Sequence, residues 1–398
     1  MKRWIPVGDL RIGEEERQAV IDVLESGRIS EGRKLIEFEK KFSDYVGTKY
    51  CIGVSSGTSA LLCALTALKT IYGENKPYIV TTPLTFIATV NSIVLTGHKP
   101  IFVDISLETF NITPENIKEA VENKPDEIQA ILPVHLMGYP CEIIDLIPYL
   151  KENNIPIIED SSQAHGSLYH DGTKTGSKGL CGTFSFYVAH NIQAGEMGAI
   201  TTSDEEFWRI CRKVKAHGRA CDCAICTRSK GTCPKLTENM DPRFTHEIIG
   251  YNFKLMDFAP ALAIVQLKKA DEIIAKRREN VKYLNDCLSQ FSDILKLPKL
   301  NPNVSYLAYP LILNPEKTTR AKFQKMLEAE GIESRPIFGC IPTQQPAYSH
   351  MKKEWEGKLP NAEFVGKNGF YIGCHQYLDE DDLNYIVDVF KRVISSLM

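Results

Sequence analysis

Three groups of side chains in this sequence could carry chemistry. The densest is Cys221-x-Cys223-x2-Cys226-x6-Cys233, four thiols within thirteen residues, in a stretch that also holds Gly231 and Pro234. Thiols so crowded suit a metal centre, iron–sulfur or zinc, far better than core packing. The second is His190. The apolar run from Thr183 to Val188 ends abruptly in Ala-His-Asn, which puts the imidazole at a strand end. Open α/β sheets bind their ligands there. With an ordinary pKa of about 6.5, imidazole accepts and donates protons near neutrality. The third is Glu159-Asp160, which closes the apolar segment that starts at Pro156 and precedes Ser161, Ser162 and Gln163. A carboxylate at that point can serve a ligand or cap a following helix.

These groups need a scaffold, and the hydrophobic pattern supplies an expectation for it. Strands are expected over 50–56, 77–82, 100–105, 128–135 and 156–160, with helices over 85–95, 114–122 and 143–153. Strands and helices in alternation imply a mostly parallel, doubly wound α/β sheet. Two helices, over 14–26 and 37–45, precede it. The first strand turns into a helix through Ser55-Ser56-Gly57-Thr58-Ser59-Ala60. Small residues at such a turn let backbone N–H groups and a hydroxyl approach a phosphate. A plain helix N-cap would use the same residues. Further on, a long amphipathic helix over 261–288 is expected to bridge to a smaller α+β unit. That unit has a strand over 306–313 and helices over 319–330 and 379–397. The expected division is a large α/β domain over 1–258, carrying a cysteine-rich loop at 219–235, and a bridging helix with a small domain over 259–398.

The composition restricts the function further. The chain has 398 residues, 43% hydrophobic and 24% charged, enough for a large core and two domains. A net charge of -3 makes no electrostatic case for nucleic acid or an anionic membrane. The first residues, MKRWIPVGDL, lack the apolar core of a signal peptide. No apolar run approaches the roughly 20 residues of a spanning helix. Of twelve cysteines, the eight outside the cluster sit in apolar or ordinary contexts, and most of them are expected to be buried free thiols. A cytoplasmic, reducing setting follows as the expectation.

In order along the chain, these motifs resemble the DegT/DnrJ/StrS family of sugar-nucleotide aminotransferases, pyridoxal-phosphate enzymes of fold type I. The resemblance starts at Ile12-Gly13-Glu14-Glu15 and Phe38-Glu39 and covers essentially the whole chain. It implies that Gly57 and Thr58 hold the cofactor phosphate, and that Phe86, in Thr82-Pro83-Leu84-Thr85-Phe86, stacks on the pyridine ring. It implies that Asp160 holds the ring nitrogen protonated and that Gln163 hydrogen-bonds the ring hydroxyl. For Phe86 the competing reading is core packing. Ser185, which opens the Ser-Phe pair of the cofactor segment, is implied to bind the cofactor too. Asn252, in Gly250-Tyr251-Asn252, is implied to reach the cofactor phosphate of a neighbouring subunit, hence a homodimer.

The family pattern around the cofactor lysine is Ser-Phe, three residues, Lys, then Gly-Glu-x-Gly. Here His190 stands at the lysine position, and no lysine lies between Lys178 and Lys213. Histidine keeps proton transfer and loses the covalent tether, so pyridoxamine or pyridoxal phosphate would be held non-covalently. A branch of the family is built this way: dehydrases that remove the C3 hydroxyl of a nucleoside-diphospho-4-keto-6-deoxyhexose. The cysteines resemble those of its iron–sulfur members, in which His-Gly-Arg-x-Cys-x-Cys follows the active-site histidine. That resemblance implies an iron–sulfur cluster of the [2Fe–2S] type and a separate ferredoxin-type reductase, while four local thiolates would also fit a [4Fe–4S] cluster or a structural zinc. One departure is plain. Those members take one ligand from a cysteine just after the Asp160 motif, where this chain has Ser161, Ser162 and Gln163; Cys226 is the substitute within the loop, and Cys181 a more distant one. The alternatives are a redox-free dehydratase with structural zinc and a non-catalytic sensor of sugar nucleotide or cofactor.

Overall fold

The computed structural model describes residues 3–223 and 231–397. Helices α1 (Glu14–Glu25) and α2 (Arg33–Val46) precede strand β1 (Tyr50–Val54), which turns at Ser56 into α3 (Gly57–Tyr72). Strand and helix then alternate: β2 (Tyr78–Thr81), α4 (Ile87–Leu95), β3 (Lys99–Phe102), α5 (Pro114–Asn123), β4 (Ile128–Leu132), α6 (Ile147–Glu152) and β5 (Ile158–Asp160). Strands β6 (Cys181–Ser185) and β7 (Gly198–Thr202) and helix α7 (Glu205–Lys215) complete this part.

Strands β3, β2 and β4 pair in parallel, as do β5 and β6. Parallel bridges Ile131–Ile157 and Val134–Asp160 join the two groups. The order across the sheet is thus β3-β2-β4-β5-β6-β7-β1, with β7 running against both its neighbours. The expectation of a mostly parallel sheet holds, and β7 is its exception. A parallel neighbour needs a crossover of a dozen or more residues, usually helical. Only the short, non-helical loop that carries His190 separates β6 from β7. All five residues of β4 and of β7 are buried, as in strands covered on both faces.

The bridging helix differs from its expectation. It is two helices, α8 (Phe258–Lys268) and α9 (Ala270–Leu288), broken at Lys269. Glu16 of α1 accounts for the corner. Its carboxylate is buried and accepts from Gln266 Nε2 at 3.0 Å and Lys269 Nζ at 2.7 Å. That tertiary pull outweighs the helical pattern of the segment.

Strands β8 (Leu295–Lys296), β9 (Tyr309–Leu313), β10 (Ser334–Pro336) and β11 (Gly369–Ile372) form a second, antiparallel sheet in the order β10-β11-β9-β8. Helices α10 (Arg320–Ala329), α11 (Lys352–Trp355), α12 (Pro360–Asn368) and α13 (Glu380–Ser395) belong with it. The N-terminal residues return to this sheet: Ile5 bridges Ile332, and Val7 N–H donates to Glu333 Oε2 at 2.9 Å. Among the described residues no helix is long and apolar enough to cross a membrane.

Candidate active site

Seven of the residues singled out in the sequence line one cavity of about 710 Å³: Gly57, Thr58, Phe86, Asp160, Gln163, Ser185 and His190. It opens at the strand ends of the large sheet, and β10 and β11 of the second sheet contribute its other wall.

The β1–α3 turn supplies one end. Ser56 caps α3, its Oγ accepting from Ser59 N–H at 3.1 Å. The capping reading of this turn is therefore correct for Ser56, yet the first N–H groups of any helix lack intrahelical partners and favour an anion. Gly57 is needed by close approach. A Cβ there would stand 2.7 Å from Ser185 Cβ and 3.2 Å from Ser185 Oγ. The last glycine of the Gly-Glu-x-Gly turn is as tightly placed, since a Cβ on Gly198 would come 2.1 Å from the Ser56 carbonyl oxygen. Gly57→Ala is expected to weaken binding of pyridoxal phosphate by about tenfold or more, because a cradle displaced by ~1 Å loses aligned donors. Titration of cofactor absorbance checks this; unchanged affinity would remove the turn from the site.

Asp160 lies at the end of β5 and is buried. Its Oδ2 accepts from Thr89 Oγ1 of α4 at 2.9 Å and its Oδ1 from Ser162 N–H at 3.2 Å. No helix follows β5 before β6, so the helix-capping alternative falls away. Gln163 accepts from Met137 N–H at 2.9 Å through Oε1, which leaves its amide NH2 for the cavity. Phe86 is 56% exposed, too open for a core residue, and stands at the rim with its ring 5.9 Å from that of Phe338.

Glu159 points away from the cavity into a fully satisfied network. Its Oε2 accepts from Tyr169 O–H at 2.7 Å, Gly176 N–H at 2.6 Å and His135 Nε2 at 3.1 Å. Its Oε1 accepts from the N–H groups of Lys178 and Gly179, each at 2.7 Å. Cys141 N–H donates to His135 Nδ1 at 2.9 Å, which assigns the imidazole proton to Nε2. Burial alone would raise the pKa of Glu159, but the hydrogen bonds from His135, Tyr169 and Gly179 hold it below the usual range.

His190 sits in the β6–β7 loop, half-buried, its N–H donating to the Tyr187 carbonyl at 2.9 Å. Its Nδ1 is buried with no protein partner. Burial pushes its pKa down to about 4, with the Ser185 carbonyl opposing and the charge of Arg277 reinforcing. The ring is therefore a neutral base at physiological pH. No lysine lines the cavity among the described residues.

Asn252 is exposed, lies outside this cavity and pairs with Ala216 through a backbone bridge. Cys221, Cys223 and Cys233 are half-buried. Burial and the adjacent Cys221 thiol push the pKa of Cys223 up. The segment is anchored by cations: Arg212 Nε donates to the Asp222 carbonyl at 2.8 Å, and Lys235 Nζ to Asp222 Oδ1 at 2.7 Å. Cys226 lies outside the described residues. Among the described residues, no three His, Cys, Asp or Glu side chains are grouped to hold a metal ion. Cys181 is fully buried beside Cys63 and Cys211, its thiol pushed well up by burial, which suits a small apolar residue better than a thiolate ligand.

Sequence reasoning missed several residues of the cavity wall: Thr85, Thr89, Glu196, Arg335, Gln345 and Tyr371. Glu196 stands inside a motif already noted. Thr89 could have been found one helical turn beyond Thr85. Arg335, Gln345 and Tyr371 belong to the second sheet and its loops, and no local pattern marks them.

A sheet of this order with one antiparallel strand, and a ligand cavity shared with a small antiparallel domain, define the α/β architecture of the fold type I transferases. The chain belongs to the DegT/DnrJ/EryC1/StrS aminotransferase family, which it matches over residues 10–391. It is 31% identical to a GDP-perosamine synthase of Caulobacter vibrioides, with 98% of each chain covered. It is 30% identical to a GDP-4-keto-6-deoxy-D-mannose 3-dehydratase of Escherichia coli O55:H7, covering 94% of this chain and 96% of that one. A solved E. coli GDP-4-keto-6-deoxy-D-mannose-3-dehydratase with bound hydrated pyridoxal phosphate superimposes with a TM-score of 0.85 at 28% identity, covering 98% of this chain and 99% of the other.

Proposed function

We propose that this chain is a pyridoxamine- or pyridoxal-phosphate-dependent dehydrase that removes the C3 hydroxyl of a nucleoside-diphospho-4-keto-6-deoxyhexose. The observation that carries the reading is His190 at the position of the family's lysine, on the wall of a cavity that no described lysine lines. The donor set suits the cofactor: unpaired helix N–H groups for a phosphate, a buried carboxylate for a ring nitrogen, an open aromatic face at the rim.

When bound, the cofactor supplies the amine that engages the sugar's 4-keto group and a conjugated ring that takes up negative charge. Gly57, Thr58 and Ser185 hold its phosphate end, Phe86 covers the ring face, and Gln163 donates its amide. Asp160 keeps a proton on the ring nitrogen, oriented for it by Thr89 and the Ser162 N–H. Neutral His190 receives the proton released beside the ring and returns it as the hydroxyl departs. With no covalent tether, the non-covalent contacts alone retain the cofactor. Asn252 completes the phosphate contacts of a neighbouring copy in a homodimer.

The outcome at C3 depends on the cysteines. Cys221, Cys223, Cys226 and Cys233 together would hold an iron–sulfur cluster, which supplies single electrons from a ferredoxin-type reductase. Adjacent, half-buried Cys221 and Cys223 flanked by Lys235 and Arg212 fit two ligands of such a centre. The second reading is a redox-free dehydratase with zinc in the same loop; the 30% identical relative named GDP-4-keto-6-deoxy-D-mannose 3-dehydratase supports dehydration at C3 under either reading.

Anaerobic purification followed by iron, sulfide and zinc analysis, with turnover of nucleoside-diphospho-4-keto-6-deoxyhexoses, tests both. Iron and sulfide are expected, and Cys221→Ser, Cys223→Ser, Cys226→Ser and Cys233→Ser should each lose them and the reductive product while pyridoxal phosphate stays bound. Zinc at one equivalent without sulfide would select the redox-free reading. No turnover of any such sugar would sink both and leave a non-catalytic binding protein.

A further inference from the structure

The charged residues that line the cavity, among those described, are Asp160, Glu196 and Arg335, with His190 neutral. Two carboxylates and one guanidinium would repel an anionic substrate unless that guanidinium meets its charge. Arg335 is on β10, in the sheet remote from the β1–α3 turn. It is held from two sides. Glu333 Oε1 accepts from its Nε at 2.9 Å and its Nη2 at 2.8 Å, while Glu333 Oε2 is taken by Val7 N–H. Tyr371 is its cross-strand partner on β11 and lines the cavity beside it. A guanidinium has five donors in a fixed fork. Glu333 engages two of them and the Tyr371 hydroxyl also interacts with the guanidinium, which leaves the rest of the fork for whatever fills the cavity.

From this geometry we infer that Arg335, with Tyr371, is the oxyanion-recognition site for the reacting partner, separate from the phosphate site at the α3 N-terminus. The inference rests on the sugar-nucleotide reading above and gives that reading its charge recognition. The cofactor brings one phosphate, for which the α3 turn suffices. The substrate brings a second anion, a diphosphate, to the opposite sheet. An amino donor that reloads the cofactor would bring an α-carboxylate, which like a phosphate group offers paired anionic oxygens, to the same fork.

The test uses the full chain loaded with pyridoxal phosphate. Calorimetric titrations with GDP, UDP, CDP and dTDP measure the diphosphate; L-glutamate, followed through the cofactor spectrum, measures the carboxylate. At least one nucleoside diphosphate is expected to bind, and Arg335→Gln to weaken it about 10- to 100-fold, the loss of charge-assisted hydrogen bonds. Arg335→Lys should recover part of the affinity, and Tyr371→Phe should lose less than Arg335→Gln. Cofactor affinity should be unchanged in all three, which also reports that they fold. Loss of the glutamate response alone would assign the fork to the amino donor's carboxylate. Wild-type behaviour of Arg335→Gln toward both ligands overturns the inference. Should the unaltered protein bind none of the four nucleoside diphosphates, the sugar-nucleotide reading fails instead, and the glutamate arm alone decides Arg335.

Discussion

Asparagine in place of His190 is expected to lower turnover by about 10²- to 10⁴-fold, the range of a positioned proton-transfer group, while leaving the cofactor bound. Asparagine matches the imidazole in size and polarity but has no basic nitrogen, so only the proton transfer is removed. The contacts assigned to binding, at Gly57, Thr58, Asp160 and Gln163, lie on other elements of the cavity wall. Hydrogen–deuterium exchange at the cofactor's exocyclic carbon isolates the step, and exchange at the wild-type rate would exclude His190 as the base. The pH profile offers a second reading. A base works above its pKa, and burial pushes that of His190 down to about 4. Activity limited by His190 should therefore stay level from pH about 8 to about 5 and fall only toward pH 4, rather than halving near the ordinary imidazole value of about 6.5. Borohydride should fix no cofactor to the chain; a stable adduct on any lysine would contradict the untethered site.

The largest stability effect is expected at Glu159, next to Asp160, the proposed ring-nitrogen partner, but facing the opposite way. Glutamine there keeps the shape and aims an NH2 group at N–H donors that now meet a carboxylate oxygen. The buried donors left unpaired should cost about 3 kcal/mol, read as an earlier urea midpoint. Tyr169→Phe removes one donor of the five and should cost about 1 kcal/mol. The sign of the pH effect follows from the depressed folded-state pKa. Glu159 contributes its stability above its ordinary value of 4.5, and the contribution is lost as pH falls through the lower folded value. The wild-type protein should therefore lose more stability below pH about 4.5 than Glu159→Gln does. Equal acid slopes for the two proteins would mean that this carboxylate does not govern the acid limb. Because the network fixes the chain on both sides of Asp160, Glu159→Gln should also weaken cofactor binding without touching the cavity.

How much of this was legible in the sequence differs from residue to residue. His190 and Asp160 could be placed at strand ends because each lies where an apolar run stops, and strand ends of an open α/β sheet converge by topology; Gly57 and Gln163 owe their roles to the family resemblance of the turns that follow β1 and β5. The small-residue turn before α3 and the alternation of strands and helices are likewise local, set by propensity and side-chain period. The break at Lys269 was not legible, because its cause is Glu16, some 250 residues away in the chain. The reversed direction of β7 follows from its short connection to β6, but the pairing with β1 on its other side joins residues near opposite ends of the large sheet's sequence. For Phe86 the resemblance implied ring stacking and the residue type alone suggested core packing; its exposure at the rim was visible only in the assembled cavity. The depressed basicity of His190 needs burial and the charge of Arg277, which α9 delivers from the other side of the molecule. The sequence by itself thus determined which chemical groups stand at the ends of which strands, since a few neighbouring residues decide that. Tertiary structure alone decided which of them share a cavity with Arg335 and Tyr371, and at what proton affinity, since electric fields and packing act through space between elements far apart in the chain.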